Sequence, residues 1–355
     1  MEDATRRKLL KLHAWLQNAL ELEFATIPPY LVALLSIKLP TNREPAELIR
    51  SVMIEEMLHL ALVANVMNAV GVAPRLDAST VPHYPIEMKF EGRRFRNREF
   101  PINLEPFGLS AITTFMKIEE PEQPQMRAQS LSLEMNVPAL TIGEFYRQII
   151  ELLTEIEREA PGELFVGSSD RQLSGDYYWA GGGALHAVND LDSAVRALDL
   201  VVAQGEGAWS SAAGADGANM ESYLTMGHYY RFSEIFHRRR YRATDDPSAP
   251  PTGEPMPVDY EVVYPIKVNP QSADYPPGSE LERLNLSFNR RYARMLINLR
   301  DALSGAPKAL YASIMDGMHA LTPIAHSMMK ISLEAEPSRV GCPTFEWREP
   351  DAFEA

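Results

Sequence analysis

Residues 54–61 read IEEMLHLA and place two carboxylates and an imidazole in a stretch that otherwise has the spacing of a buried helix face. Val52, Glu56, His59, Val63, Val66 and Val70 recur at intervals of four and three, which sets all six on one side of a helix. An unpartnered carboxylate in an apolar core is costly unless a cation or hydrogen bonds compensate it. Glu56 and His59 therefore read either as an i, i+3 polar pair or as two ligands of a metal ion. Glu55, about a quarter turn away, is expected to face solvent or to support the pair from outside.

The preceding segment repeats the anomaly. Leu9, Leu12, Leu16, Ala19, Glu23, Thr26, Tyr30, Ala33 and Ile37 follow the same alternation, so Glu23 and Tyr30 belong to the buried face, while Glu21 shares its face with Gln17. Pro28 and Pro29 remove two intrahelical hydrogen bonds and free the carbonyls of Phe24 and Ala25, either to accommodate packing or to distort the helix beside a site.

The elements that must position these groups follow from periodicity. Residues 5–38 and 45–71 are helical and joined by KLPTNREP, which predicts an antiparallel hairpin. Residues 72–140 read as a loop-rich insertion with one hairpin. Helical patterning returns at 141–159, 186–204 and 218–238. Residues 241–280 hold nine prolines and read as an extended surface segment. Two further helices follow: one carries Leu281, Phe288, Tyr292, Met295 and Leu299 and stops near Gly305, and the next starts near Pro307. The expected organisation is an all-α helical bundle over 1–240, a Pro-rich connector over 241–280 and a helical pair over 281–355 packed on the bundle.

A net charge of −14 repels phosphate backbones and anionic headgroups, which argues against nucleic acid and membrane surfaces as partners. The basic run HRRRYR at 237–242 reads as a solvated helix end. Cys342 stands alone, so no internal disulfide or CxxC motif is available, and a reducing, cytoplasmic compartment fits. No run of about 18 uninterrupted apolar residues occurs. HExxH, GxSxG, GxxxxGK[ST] and GxGxxG are all missing, and Gly181–Gly183 reads as a loosened approach to the next helix. His13, His186, His319 and His326 have no partner pattern.

Taken together, ELEFATIPPYLVALLSI, IEEMLHLALVANVMNAVG, TIGEFY, LDLVVAQGEG and HYYRFSEI resemble the ferritin-like proteins related to iminophenyl-pyruvate dimer synthase, in blocks over residues 10–236. The resemblance implies a ferritin-like four-helix bundle in which two glutamates and two ExxH motifs hold two metal ions. Glu23, Glu56 and His59 match that pattern directly. Glu144 is offered by TIGEFY, although Thr141-x-x-Glu144 is equally a helix capping box. Glu206 extends the stripe of Leu191, Val195, Leu198 and Val202, and His228 lies in line with Leu224, Phe232 and Ile235. A second ExxH would need glutamate at 225, where this chain has Thr225, so Glu206 and His228 would supply its ligands from separate segments. The alternative string, Glu234 to His237, is expected to point its histidine to water.

What the resemblance implies chemically is iron, two atoms, with manganese as the alternative, since carboxylates and imidazoles suit both. Such a site uses dioxygen to oxidise a small organic molecule, here an amino-acid-derived imine or related biosynthetic intermediate, held in an adjacent apolar cavity. Tyr30 is then a hydrogen-bond donor or redox participant, or a plain core tyrosine. A homodimer is the candidate assembly. The competing expectations are iron storage, which suits a shell of many small subunits better than this chain, and a non-catalytic ferritin-like metal-binding or interaction protein whose polar core residues fix helix register.

Overall fold

The computed structural model describes residues 2–87, 89–90, 93–94, 100–121, 141–178, 181–205 and 226–350. Helix α1 (Asp3–Ser36) and helix α2 (Arg43–Ala69) form the expected antiparallel hairpin. Both are long and apolar enough to cross a membrane by composition, yet most of each apolar window is buried inside the fold, so they serve as core helices. Pro28 and Pro29 sit inside α1 without ending it. The freed carbonyl of Ala25 accepts a hydrogen bond from the Tyr84 hydroxyl at 2.7 Å, which replaces the partner that Pro29 cannot supply.

The region read as loop-rich contains strands β1 (Lys89–Phe90) and β2 (Arg93–Arg94), paired antiparallel, and also a ten-residue helix, α3 (Leu109–Ile118), which the sequence reading did not resolve. Its buried side, Ala111, Ile112, Phe115 and Ile118, has ordinary helical spacing, but Pro106, Gly108 and Pro121 crowd both ends and mask it. Helix α4 (Ile142–Glu159) opens with a capping box. The Thr141 side chain accepts from the Glu144 backbone N–H at 3.0 Å, and the Glu144 carboxylate accepts from the Thr141 N–H at 2.7 Å. Helix α5 (Leu191–Gly205) completes a ring in which α1 packs on α2 and α4, and α5 packs on α4 and α2.

Helix α6 (His228–His237) lies outside this ring, against α2 and α3. It ends at Arg238, in the left-handed region, where the basic run begins. That run is less solvated than expected. Arg240 makes a forked contact with Glu44 at the start of α2 (2.7 and 2.6 Å), and its backbone exchanges hydrogen bonds with Glu254 and Gly253. Asn42, at the turn of the α1–α2 hairpin, bonds the backbone of Asp259 in both directions at 2.8 Å. The Pro-rich segment is thereby tied to the end of the bundle.

Helix α7 (Glu280–Ala302) is capped by Ser279. It packs on a continuous helical run made of α8 (Ala309–Ala312), a π-helical turn (Ser313–Met318) and α9 (His319–Met328). At the π turn Gly317 lies against α7 so closely that a Cβ would stand 2.6 Å from Met295 Cγ.

Candidate metal centre

Glu23 and Thr26 from α1, Glu56 and His59 from α2, Glu119 from the end of α3 and His228 from the start of α6 meet inside the bundle, all buried. They form two overlapping donor groups, Glu23–Glu56–His59 and Glu56–Glu119–His228, each compact enough to surround one ion. Glu56 belongs to both. Its Oε1 lies 3.9 Å from His59 Nδ1 and 2.9 Å from His228 Nδ1, and its Oε2 accepts a hydrogen bond from the Thr26 hydroxyl at 3.0 Å.

The two imidazoles are held alike. His59 Nε2 donates to Gln204 Oε1 at 3.0 Å, and His228 Nε2 donates to Glu55 Oε2 at 2.8 Å. An acceptor on Nε2 fixes each ring with its Nδ1 turned toward the carboxylates. His59 Nδ1 is 3.3 Å from Glu23 Oε2, and His228 Nδ1 is 3.4 Å from Glu119 Oε2. The short approach of His228 Nδ1 to Glu56 lacks hydrogen-bond alignment, so this buried nitrogen has no hydrogen-bond partner. The rings stack with centroids 5.5 Å apart.

Behind these groups stands a further layer of donors. Tyr146 of α4 donates its hydroxyl to Glu23 Oε1, and Tyr30 of α1 donates to Glu119 Oε1. The ring of Tyr30 is wedged between Phe115, 4.6 Å between centroids, and Phe232, 5.4 Å. Glu55, expected to face solvent or to support the pair from outside, is 0% exposed. Helix α6 covers that side of α2 and brings Arg231, also fully buried, to grip both Glu55 oxygens at 2.9 and 2.8 Å while reaching the Ser51 hydroxyl at 3.0 Å.

Gly181–Gly183 also has a structural task. Gly182 has φ +79° and lies so close to α2 that a Cβ would stand 2.8 Å from Glu55 Cγ, and its carbonyl accepts from Gln204 Nε2. The tripeptide therefore seats the amide that orients His59. Only glycine allows both that backbone conformation and that approach.

Electrostatics follow from crowding. Burial, then the charges of Glu119 and Glu23, push the Glu56 carboxyl up to about 8, so it holds a proton at neutral pH when no cation is bound. Burial opposes charge on both histidines, but the Glu23 carboxylate beside His59 and the Glu119 carboxylate beside His228 win, and both imidazoles are raised. Glu23 and Glu55 are held low against burial, Glu23 by its hydrogen bond to His59, Glu55 by His228 and the Arg231 charge. Glu23, Glu56, His59 and Glu119 line a cavity of about 20 Å³, and with His228, whose Nδ1 lacks a hydrogen-bond partner, they form a donor set that suits one or two hard-to-borderline cations. That volume also admits little more than a water or an ion.

Of the six ligand candidates, Glu23, Glu56, His59 and His228 converge. Glu144 is engaged in the capping box and joins neither donor group. Glu206 and Thr225 lie outside the described residues. Glu119 was missed, although Ile112, Phe115 and Glu119 show the same three–four spacing that marked Glu23 and Glu56.

Comparisons with known proteins bear on the family and the fold. Over 333 residues the chain is 25% identical to dichlorochromopyrrolate synthase from Lentzea aerocolonigenes, covering 84% of this chain but only 29% of that much longer relative. The crystal structure of a ferritin-like protein from Caulobacter vibrioides superposes with a TM-score of 0.60 at 24% identity, over 94% of this chain and 97% of the other, a likeness of fold. Residues 16–237, which span every described donor from Glu23 to His228, match the family model named Ferritin-like, and the chain belongs to that family.

Proposed function

We propose that this chain is a metal-dependent oxidase that uses dioxygen to oxidise a small, amino-acid-derived organic intermediate, with two iron atoms held by Glu23, Glu56, His59, Glu119 and His228. Glu206 is the candidate for a further carboxylate. The observation that carries the reading is the pairing of two donor groups through Glu56, each with an imidazole fixed at Nε2 and its Nδ1 turned toward the carboxylates. A lone structural polar cluster has no need of two histidines oriented the same way. The similarity to dichlorochromopyrrolate synthase supports a synthesis on an organic substrate.

Bound iron would supply the reduction of dioxygen, a step no side chain here performs alone. The chain's own residues do the rest. Glu56 releases its proton when a cation replaces it. Thr26 then keeps that carboxylate aimed between the two groups. Tyr30 holds Glu119 through a hydroxyl within an aromatic box, so its proton is the one nearest a ligand oxygen on the His228 side. Tyr146 plays the matching part at Glu23, where burial, with the Glu23 charge, keeps its phenol strongly protonated.

The test is anaerobic reconstitution with ferrous iron, metal analysis by plasma mass spectrometry, and oxygen uptake with candidate amino-acid-derived imines. About two irons per chain, lost in His59→Ala with an unchanged circular dichroism spectrum, is the expected result. A chain that binds no metal in either form would make the cluster a register-fixing polar core, the non-catalytic reading.

A further inference from the structure

Across the α1–α2 layer from the metal centre lies a second cavity, of about 700 Å³, between the outer face of the hairpin and the C-terminal helices. On α2 it runs from Ala46 to Ala61, a stripe about 22 Å long at the 1.5 Å rise per residue, so the space is long and narrow. Methionines from three elements line it: Met53 and Met57 of α2, Met295 of α7, Met315 and Met318 of the π turn. Such side chains re-pack around a flexible apolar guest. Interiors this size are rare in well-packed folds and are typical of ligand sites.

The charges are one-sided. Although the chain carries −14 overall, no carboxylate lines this cavity among the described residues, and the ionisable lining groups other than tyrosines are Arg50, His319 and His326. Arg50 and His319 are exposed, as are Leu39, Tyr311 and Met315, so these five mark the mouth. Arg50 makes no ion pair among the described residues. An apolar tunnel with a cationic entrance matches an apolar chain with an anionic end.

We propose that this cavity binds a free long-chain fatty acid, its chain along α2 and its carboxylate in the mouth at Arg50 and His319. The site is separate from the metal centre: Glu23, Thr26 and Glu56 face one cavity, while Phe24, Ile27 and Met57 face the other. The proposal does not rest on the oxidase reading.

The test is calorimetric titration of the full chain with palmitate below its micelle concentration, beside hexadecanol, which keeps the tail and drops the charge. One palmitate per chain is expected. Arg50→Gln should weaken palmitate at least tenfold and leave hexadecanol unchanged, because only the acid makes the charge-assisted contact. Met57→Trp, which fills the tunnel, should weaken both ligands while the circular dichroism spectrum and iron content stay as in the parent. Glu56→Ala should lose iron and keep palmitate. Absence of palmitate binding, binding indifferent to both Arg50→Gln and Met57→Trp, or joint loss of palmitate and iron in Glu56→Ala would each overturn the proposal. A dimer that seals the mouth and excludes palmitate would do the same.

Discussion

Glu23, Thr26 and Glu56 project from α1 and α2 into a cavity of about 20 Å³, whereas Phe24, Ile27 and Met57, their neighbours in the chain, line one of about 700 Å³ on the other side. On the inner side nearly every polar atom is held by a second group: Tyr146 on Glu23, Thr26 on Glu56, Tyr30 on Glu119, Gln204 on His59, Glu55 and Arg231 behind His228. On the outer side the surfaces are mainly methionine, leucine and a π turn, with no comparable hydrogen-bond net among the described residues. A helix can thus present a rigid polar face and an adaptable apolar one within a single turn, because the two faces answer to different physics. Charges in a low dielectric demand fixed partners, while apolar surface demands only cover.

The sharpest way to break this contrast is Glu56→Ala against Met57→Ala. Glu56 serves both donor groups, so its loss is expected to lower bound iron at least tenfold, a change metal analysis reads directly. Met57→Ala, one residue away and facing the other cavity, should leave the metal content intact. Equal losses would show that the two faces are not independent.

Arg231→Met comes next. It leaves Glu55 buried without its cation, which should cost about 3–5 kcal/mol in denaturant unfolding. Met57→Ala, whose side chain already borders empty space, should cost about 1–2 kcal/mol, at or below the usual large-to-small range. If Arg231→Met proves harmless, the inner face owes its order to packing alone.

A smaller effect separates the metal-free from the loaded inner face. Glu56, His59 and His228 all have raised values in the fold, so the native state holds protons the unfolded chain has released. Their contribution is complete at low pH and is lost as pH rises through the folded values. Glu23 and Glu55, held low, have the opposite sign but are already ionised in both states above about pH 6. Metal-free protein should therefore lose stability between about pH 6 and 9, by at most about 1.4 kcal/mol per pH unit for each proton released. Thermal melts across that range check it. Iron, which displaces those protons, should flatten the slope.

The same contrast explains what could be read from the chain alone. Glu23, Glu56 and His59 were legible because each interrupts an apolar stripe within a long helix, where period and burial are one signal. Glu119 obeys the same rule, but its stripe spans one short helix between prolines, and the local punctuation outweighed the period. For Glu55 the choice between solvent and support stayed open for another reason: a helix wheel gives direction, not what lies there, and α6 supplies His228 and Arg231 from more than 170 residues away. Arg231 stands three residues after His228, on the same face, so a buried arginine was visible in principle once α6 was known to be covered. The outer cavity had no sequence signature, because it depends on how far the C-terminal helices stand from α2.

Glu144 gives the smallest effect and the finest discrimination. Its carboxylate accepts from the Thr141 N–H and its own N–H donates to Thr141, a reciprocal pair that opens α4 beside the small cavity lined by Ile142 and Gly143. A glutamine at this position preserves the capping box but is a poor ligand for a hard cation. Glu144→Gln should then change stability by no more than about 0.5 kcal/mol and leave iron at the parental level, whereas Thr141→Ala should cost about 1 kcal/mol. A fall in iron in Glu144→Gln with an unchanged melting temperature would move this residue from helix cap to metal ligand. The inner face would then extend to α4 through a carboxylate as well as through Tyr146.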